Sequence, residues 1–339
     1  MKSERWDIHG SHSGIHSSAR HLETTNREPR KELLVRNWNE TTADSHGIAA
    51  PQSRLPAATH VGGVHLQVTD IARSIAYYEQ VLGLHVHFAT SDTAAIGPHD
   101  GEPLVWLQTS SGVKPARRGA LGLFHFAILL PDRAALGRFA AHLSAIGVRV
   151  GMADHSVSEA LYLSDPDGLG IEVYADRPRS SWRWRERELV MTTDPLDFGN
   201  VVAAGGNQPW NGMPSGTTIG HVHLHVRSLV EGENFYHVAL GFDKTVWTYP
   251  GALFLAAGGY HHHLGTNSWS PGPRAKDDEA RLLEWELVVP NAEAASAAAA
   301  SIRSAGYAAE HADDGWMAAD PWGTRVRIIS DSQSSHRER

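Results

Sequence analysis

The sequence predicts an α+β protein built from four βαβββ units that close into curved mixed sheets. Three observations carry this reading. Val64-His-Leu-Gln-Val-Thr-Asp70 reads over Val222-His-Leu-His-Val-Arg-Ser228, and the same offset aligns Tyr77-Tyr78 with Phe235-Tyr236 and Leu82-Gly83 with Leu240-Gly241. A further pair follows, in which Phe126-Ala-Ile-Leu-Leu-Pro131 matches Trp285-Glu-Leu-Val-Val-Pro290 and both helices stop at a glycine, Gly147 and Gly306. Finally, Asp165-Pro-Asp-Gly168 matches Asp320-Pro-Trp-Gly323. Self-similarity of this kind marks a repeated supersecondary unit, in which period-two strands precede a helix closed by glycine.

The elements follow in chain order. Residues 1–57 are polar and aperiodic and read as a disordered or extended tail; its His9, His12 and His16 are too loosely held to preorganise a metal site. Residues 58–176 hold units one and two and 218–331 hold units three and four, each half being expected to form one domain. Between them, 177–217 reads as an ordered linker with aromatic anchors and one short helix candidate, Asp194 to Ala204; residues 332–339 form a polar tail. A helix after each first strand, with short antiparallel strands behind it, implies a concave sheet face able to hold a ligand.

Composition excludes several function classes. The chain has 339 residues, 41% of them hydrophobic, and no cysteine, so thiolate catalysis, thiolate metal sites and disulfides are ruled out and any metal must be held by imidazole and carboxylate. A net charge of -8 argues against nucleic-acid partners despite the local cluster Arg183, Arg185 and Arg187. Neither a membrane-spanning run nor a secretory leader is legible, and a cytoplasmic protein is expected. Homo-oligomerisation is left open.

These residues resemble the vicinal oxygen chelate superfamily, which contains glyoxalases, extradiol dioxygenases and the bleomycin and fosfomycin resistance proteins. The resemblance spans most of 60–331. Gly220-His-Val-His-Leu-His-Val226, Tyr260-His-His-His263 and Ser158-Glu-Ala-Leu-Tyr162 are most similar to two-domain bacterial catechol 2,3-dioxygenases. The resemblance implies metal ligands near the start of each unit's first strand and on its last strand. Those positions hold Gly63, His125, His221 and Glu284 on first strands, with Glu172 and Arg327 on the last strands of units two and four. Pairing units one with two and three with four leaves neither cup with two histidines and a carboxylate. Pairing two with three collects His125, His221 and Glu172, and sends the empty Gly63 and the cationic Arg327 to the other cup. The second pairing is preferred.

The resemblance further implies an extradiol ring-cleaving dioxygenase that uses iron(II), with manganese(II) as the other candidate, to open a small aromatic diol with O2. Two imidazoles and one carboxylate leave open positions on such a metal. His155, Tyr162 and Glu172 follow the extradiol pattern, which departs only at Ala153, and place His155 and Tyr162 beside the substrate. The remaining active-site histidine is best matched by His262, with His261 and His263 as alternatives because a one-residue slip reverses the face. Trp269, Phe124 and Phe254 are candidate ring-stacking walls, although such residues more often serve as core. His223 and His225 are read as supporting or packing groups, and Glu284 and Glu286 as salt-bridge formers. The competing functions are a metal-dependent glyoxalase-type lyase or isomerase, which a fourth protein ligand favours, and a non-catalytic drug-sequestering protein, which requires a metal-free apolar cup.

Overall fold

In the computed structural model, which describes residues 46–331 apart from 271 and 313, four copies of one unit follow one another. Unit one comprises β1 (His60–Gln67), α1 (Ile71–Tyr77), β2 (His85–Ala89), β3 (Thr93–Gly97) and β4 (Val105–Gln108). Unit two comprises β5 (Gly122–Leu129), α2 (Arg133–Ala145), β6 (Gly151–Asp154), β7 (Ser158–Ser164) and β8 (Gly170–Asp176). The connecting segment holds β9 (Trp184–Arg185), β10 (Glu188–Leu189) and α3 (Phe198–Ala204). Unit three comprises β11 (Thr218–His225), α4 (Leu229–Glu233), β12 (Asp243–Val246), β13 (Ala252–Ala256) and β14 (Leu264–Asn267). Unit four comprises β15 (Arg281–Val289), α5 (Ala292–Ser304), β16 (Ala309–Ala312), β17 (Gly315–Ala319) and β18 (Arg325–Ser330).

Each unit turns from strand to helix at a short polar residue whose side chain accepts from a backbone N–H of the first turn: Asp70 from Arg73, Asp132 from Ala135, Ser228 from Glu231 and Asn291 from Ala294. In units one and three the helix runs on into a π-helical turn, Tyr78–Leu82 and Asn234–Ala239, which buries Tyr78, Phe235 and Tyr236. The aromatic pairs therefore face the core, and the Tyr236 hydroxyl donates to Asp320 of the unit-four turn at 2.9 Å. Asp165 and Asp320 stabilise their turns in the same way, each Oδ1 accepting two backbone N–H groups.

Two eight-stranded sheets result, with orders β16-β17-β18-β15-β1-β4-β3-β2 and β12-β13-β14-β11-β5-β8-β7-β6. The first joins units one and four through antiparallel β1 and β15, and the second joins units two and three through antiparallel β5 and β11. This is the pairing that the ligand positions favour in the sequence. The chain halves 58–176 and 218–331 each contribute one unit to either sheet, so the cups cut across those halves. The apolar sides of β1, β5, β11 and β15, with Val64, Leu66, Phe126, Val222 and Trp285, are buried in one core cluster.

The first 45 residues, including His9, His12 and His16, lie outside the described residues, as do 332–339. The rest of the predicted tail is held to the second sheet. Ile48 bridges Lys244, Leu55 N–H donates to Gly241 O, and Arg54 pairs with Asp243 at 2.7 Å. Leu55 is buried, which contributes about 2 kcal/mol; Ile48 and Leu55 stand seven residues apart and give no periodic signal to reveal this. The linker is ordered, with Trp182 buried and Trp210 packed on Phe139. Its helix begins at Phe198 rather than Asp194, because Asp197 caps it by accepting from Asn200 N–H. Among the described residues, no helix is long and apolar enough to cross a membrane.

Candidate metal centre

The sheet register brings the candidate ligands together. On β5, Ala127 lies opposite His221 of β11 on one side and beside Glu172 of β8 on the other. Alternation puts all three on one face, and the small, fully buried Ala127 leaves room above it for the two polar side chains to meet. His125, two residues earlier on β5, shares that face and lies opposite His223. The row continues outward, because Tyr162 of β7 lies opposite Glu172.

The resulting cluster is compact and buried. His125 Nε2 and His221 Nε2 lie 3.0 and 3.2 Å from the same carboxylate oxygen, Glu172 Oε2, and all three groups are buried. One ligand atom from each falls within 4.8 Å of the others, and this is the group of metal-ligating side chains that stands out among the described residues. Ligand bonds of about 2.1 Å at right angles place neighbouring donors about 3.0 Å apart. The two nitrogen–oxygen spacings match that edge. His125 Nε2 is buried and, although close to Glu172 Oε2, is not oriented to hydrogen-bond it, as suits a lone pair meant for an electrophile.

Electrostatics favour the ligating forms. Burial opposes ionisation of Glu172, but the adjoining His221 and His125 outweigh it and hold the carboxyl well below its usual range. Burial lowers His221 to about 4 in spite of Glu172, and burial with the surrounding imidazoles holds His223 and His262 well below the usual imidazole range. A neutral His221 beside the ionised Glu172 is the form in which these two groups can ligate a divalent cation.

The other candidates fall around this cluster. The His262 ring packs on His221 with centroids 4.0 Å apart and meets Phe254 edge-on at 4.9 Å. Neither neighbour competes for that place. His261 lies behind it, and His263 faces away, its Nδ1 accepting from Ala257 N–H at 3.2 Å. Simple alternation does not resolve the run, because His261 to His263 precede β14.

His155 Nδ1 lies 2.6 Å from the Thr192 carbonyl, which only accepts, so that nitrogen carries the proton; Nε2 of the neutral ring then accepts from the Tyr162 hydroxyl at 2.6 Å. Burial pushes the Tyr162 phenol well up, and Glu172 adds to this. Phe124 packs on His125, and Trp269 tilts over His223 at 5.6 Å.

A hydrogen-bonded chain runs behind His262. Asp176 Oδ1 accepts from His261 Nε2–H at 2.8 Å, which leaves His261 Nδ1 to accept from His262 Nδ1–H at 2.7 Å. The acceptor nitrogen of neutral His262 is therefore Nε2. Asp176 was missed in the sequence, although it sits four residues after Glu172 on the same strand face. Thr192 was missed because the linker has no period. His223, expected only to support or pack, stands fully buried opposite His125, with Nε2 3.0 Å from the Asn267 amide.

In the other cup, Arg327 binds Glu284 through Nε and Nη2 at 2.7 and 2.6 Å, as expected from the sequence. Glu286 instead pairs with His65 Nε2 at 3.0 Å.

Residues 58–173 match the Glyoxalase/Bleomycin resistance protein/Dioxygenase superfamily. Over 269 residues the chain is 42% identical to a catechol-2,3-dioxygenase of Bacillus subtilis (strain 168), covering 78% of this chain and 94% of that protein. Among solved structures, a putative dioxygenase from Bacillus subtilis subsp. subtilis str. 168 superimposes with a TM-score of 0.58 at 13% identity, covering 83% of this chain and 86% of the other. Glyoxalase I from Zea mays gives 0.50 at 18% identity, covering 81% and 94%. At these identities the structural likenesses establish the fold alone.

Proposed function

Given that the chain belongs to the glyoxalase/bleomycin resistance protein/dioxygenase superfamily, we propose that it is an extradiol dioxygenase that opens a catechol-type aromatic diol with O2. The observation that carries this reading is the buried group of His125, His221 and Glu172, whose donor spacings fit one divalent cation. In the proposal these residues hold iron(II), with manganese(II) able to take the same donors. When bound, the metal would supply coordination for a chelating diol and O2 and a path for electrons from one to the other.

The chain's own groups supply the proton chemistry and the enclosure. His262 Nε2 accepts the first diol proton, and the charge gained is offset through His261 by Asp176. Tyr162, tied to His155 Nε2, can turn its hydroxyl toward a substrate oxygen, and His155 then has a free acceptor nitrogen for the second proton. Phe124, Phe254 and Trp269 bound the histidine face and limit water there. A glyoxalase-type reaction normally uses a fourth protein ligand. The metal-ligating group among the described residues has three members, which supports the dioxygenase reading over the isomerase.

The test is anaerobic loading of the full chain with iron(II), then catechol and air. The proposal expects oxygen uptake in step with a yellow ring-opened product. Absence of uptake across a panel of aromatic diols, with metal demonstrably bound, would rule it out.

A further inference from the structure

The sheet formed by units one and four has a concave face of its own, and its ligand positions have been rebuilt for something other than a metal. Glu284 is taken by Arg327, and Arg327 Nη1 also holds Asp314 at 2.9 Å, so that ion-pair cluster is closed. At the remaining position, Gly63 has yielded its space to an aromatic ring. A Cβ there would stand 1.9 Å from Trp106 Cζ3, so only glycine admits the indole. The Trp106 ring stacks on His65 with centroids 4.8 Å apart and planes 4° from parallel.

Around this pair lies a cavity of about 1020 Å³. That is the size of a site for a small organic molecule. The register His65–Trp106–Ala95–Phe88 forms one row across four strands of its floor and wall, and Leu104, Leu283 and Val288 add apolar surface. The lining also includes the buried carboxylate of Glu286. Its Oε1 meets His65 Nε2, and its Oε2 accepts from Gly63 N–H, both at 3.0 Å.

The charge of the cavity selects the ligand. Among the described residues its lining includes Glu102, Glu286 and the histidines His60, His65 and His87 but no lysine or arginine; Glu286 is paired with His65, and Arg327 on the neighbouring strand is committed to Glu284 and Asp314. A flat aromatic wall beside a carboxylate suits a ring that donates a hydrogen bond, and an ammonium group gains further from the indole face. An anionic ligand would face two carboxylates with no lysine or arginine in that lining to offset them. We propose that this second cup is a metal-independent binding site for an aromatic molecule that bears an O–H or N–H donor and no negative charge. The site is separate from the candidate metal centre and does not depend on the reaction assigned to that centre.

The experiment is calorimetric titration of the metal-free full chain with tyramine, with benzoate as the anionic control. Saturable tyramine binding is expected, with benzoate weaker by about tenfold or more. Ala95→Phe, which fills the row between Trp106 and Phe88, should weaken tyramine by about tenfold or more, as should Glu286→Gln; His125→Ala should leave it unchanged. Circular dichroism and a thermal melt select folded variants, and Trp106→Leu replaces Ala95→Phe if the latter does not fold. Absence of saturable tyramine binding, equal binding of benzoate, indifference to the second-cup substitutions, or loss of binding in His125→Ala would each overturn the proposal.

Discussion

Replacing Asp176 with alanine tests how His262, the proposed acid–base histidine, is held. Asp176 Oδ1 accepts from His261 Nε2–H at 2.8 Å and from the Tyr260 hydroxyl at 3.2 Å. His261 is fully buried, so the substitution strands an N–H donor at a cost of about 1–3 kcal/mol. The ring can escape by shifting its proton to Nδ1, but that nitrogen already faces His262 Nδ1–H at 2.7 Å, and two donors cannot share the contact. His262 must then move its own proton to Nε2, which removes the lone pair from the site. At 1.4 kcal/mol per tenfold, the cost corresponds to a fall in kcat of about 5- to 140-fold, with KM for the diol much less affected. Asp176→Asn keeps an acceptor oxygen for His261 and should recover most of the loss. Steady-state kinetics with catechol measure the split, and imidazole ¹⁵N shifts in the metal-free chain report the tautomers. Unchanged kcat in Asp176→Ala, or a His262 ring protonated on Nε2 in the unmodified chain, would refute the reasoning.

Three other outcomes are expected. Burial raises Asp165 from 3.8 to about 7, so between those values the folded protein keeps a proton that the unfolded chain releases, and this group's contribution to stability falls as pH rises through the window. Asp165→Asn retains the acceptor for the Asp167 and Leu169 N–H groups; relative to the unmodified chain it should gain up to about 4 kcal/mol between pH 4 and pH 8, measured by urea unfolding, and a parallel pH profile would contradict this. Gly265→Ala places a Cβ 2.9 Å from the His223 ring and should cost about 1–3 kcal/mol, visible as a lower Tm; an unchanged Tm would show that the ring moves freely. Tyr162→Phe removes the donor to His155 Nε2 and should lower kcat by about tenfold with little change in metal affinity, which titration with cobalt(II) would check.

The fold was legible because the repeat is written twice over in hydrophobic period and turn chemistry. Asp165 and Asp320 bind the same two backbone positions in their turns. The pairing of units was legible only through its chemistry. Gly63 and Arg327 cannot ligate, and the strands that carry them sit in the sheet away from His125, His221 and Glu172. Period alone could not have chosen between the pairings, since all four first strands look alike.

What stayed hidden lies where the chain is irregular or where contacts are distant. Leu55 docks from an aperiodic segment, Thr192 reaches His155 from the linker, and His261 to His263 occupy an irregular stretch before β14 in which alternation gives no face. Asp176 is the exception, since counting by twos from Glu172 through Tyr174 reaches it on the cup face. Its partner His261 is 85 residues further along the chain, and no local pattern announces that meeting.

The central claim is that one metal site is assembled from units two and three, with the opposite cup closed to metal by its arginine. Anaerobic equilibrium dialysis of iron(II) against the full chain, Glu172→Ala and Glu284→Ala tests it most directly. The account expects the full chain and Glu284→Ala to retain one tightly held ion and Glu172→Ala to lose it. Retention in Glu172→Ala with loss in Glu284→Ala would contradict it.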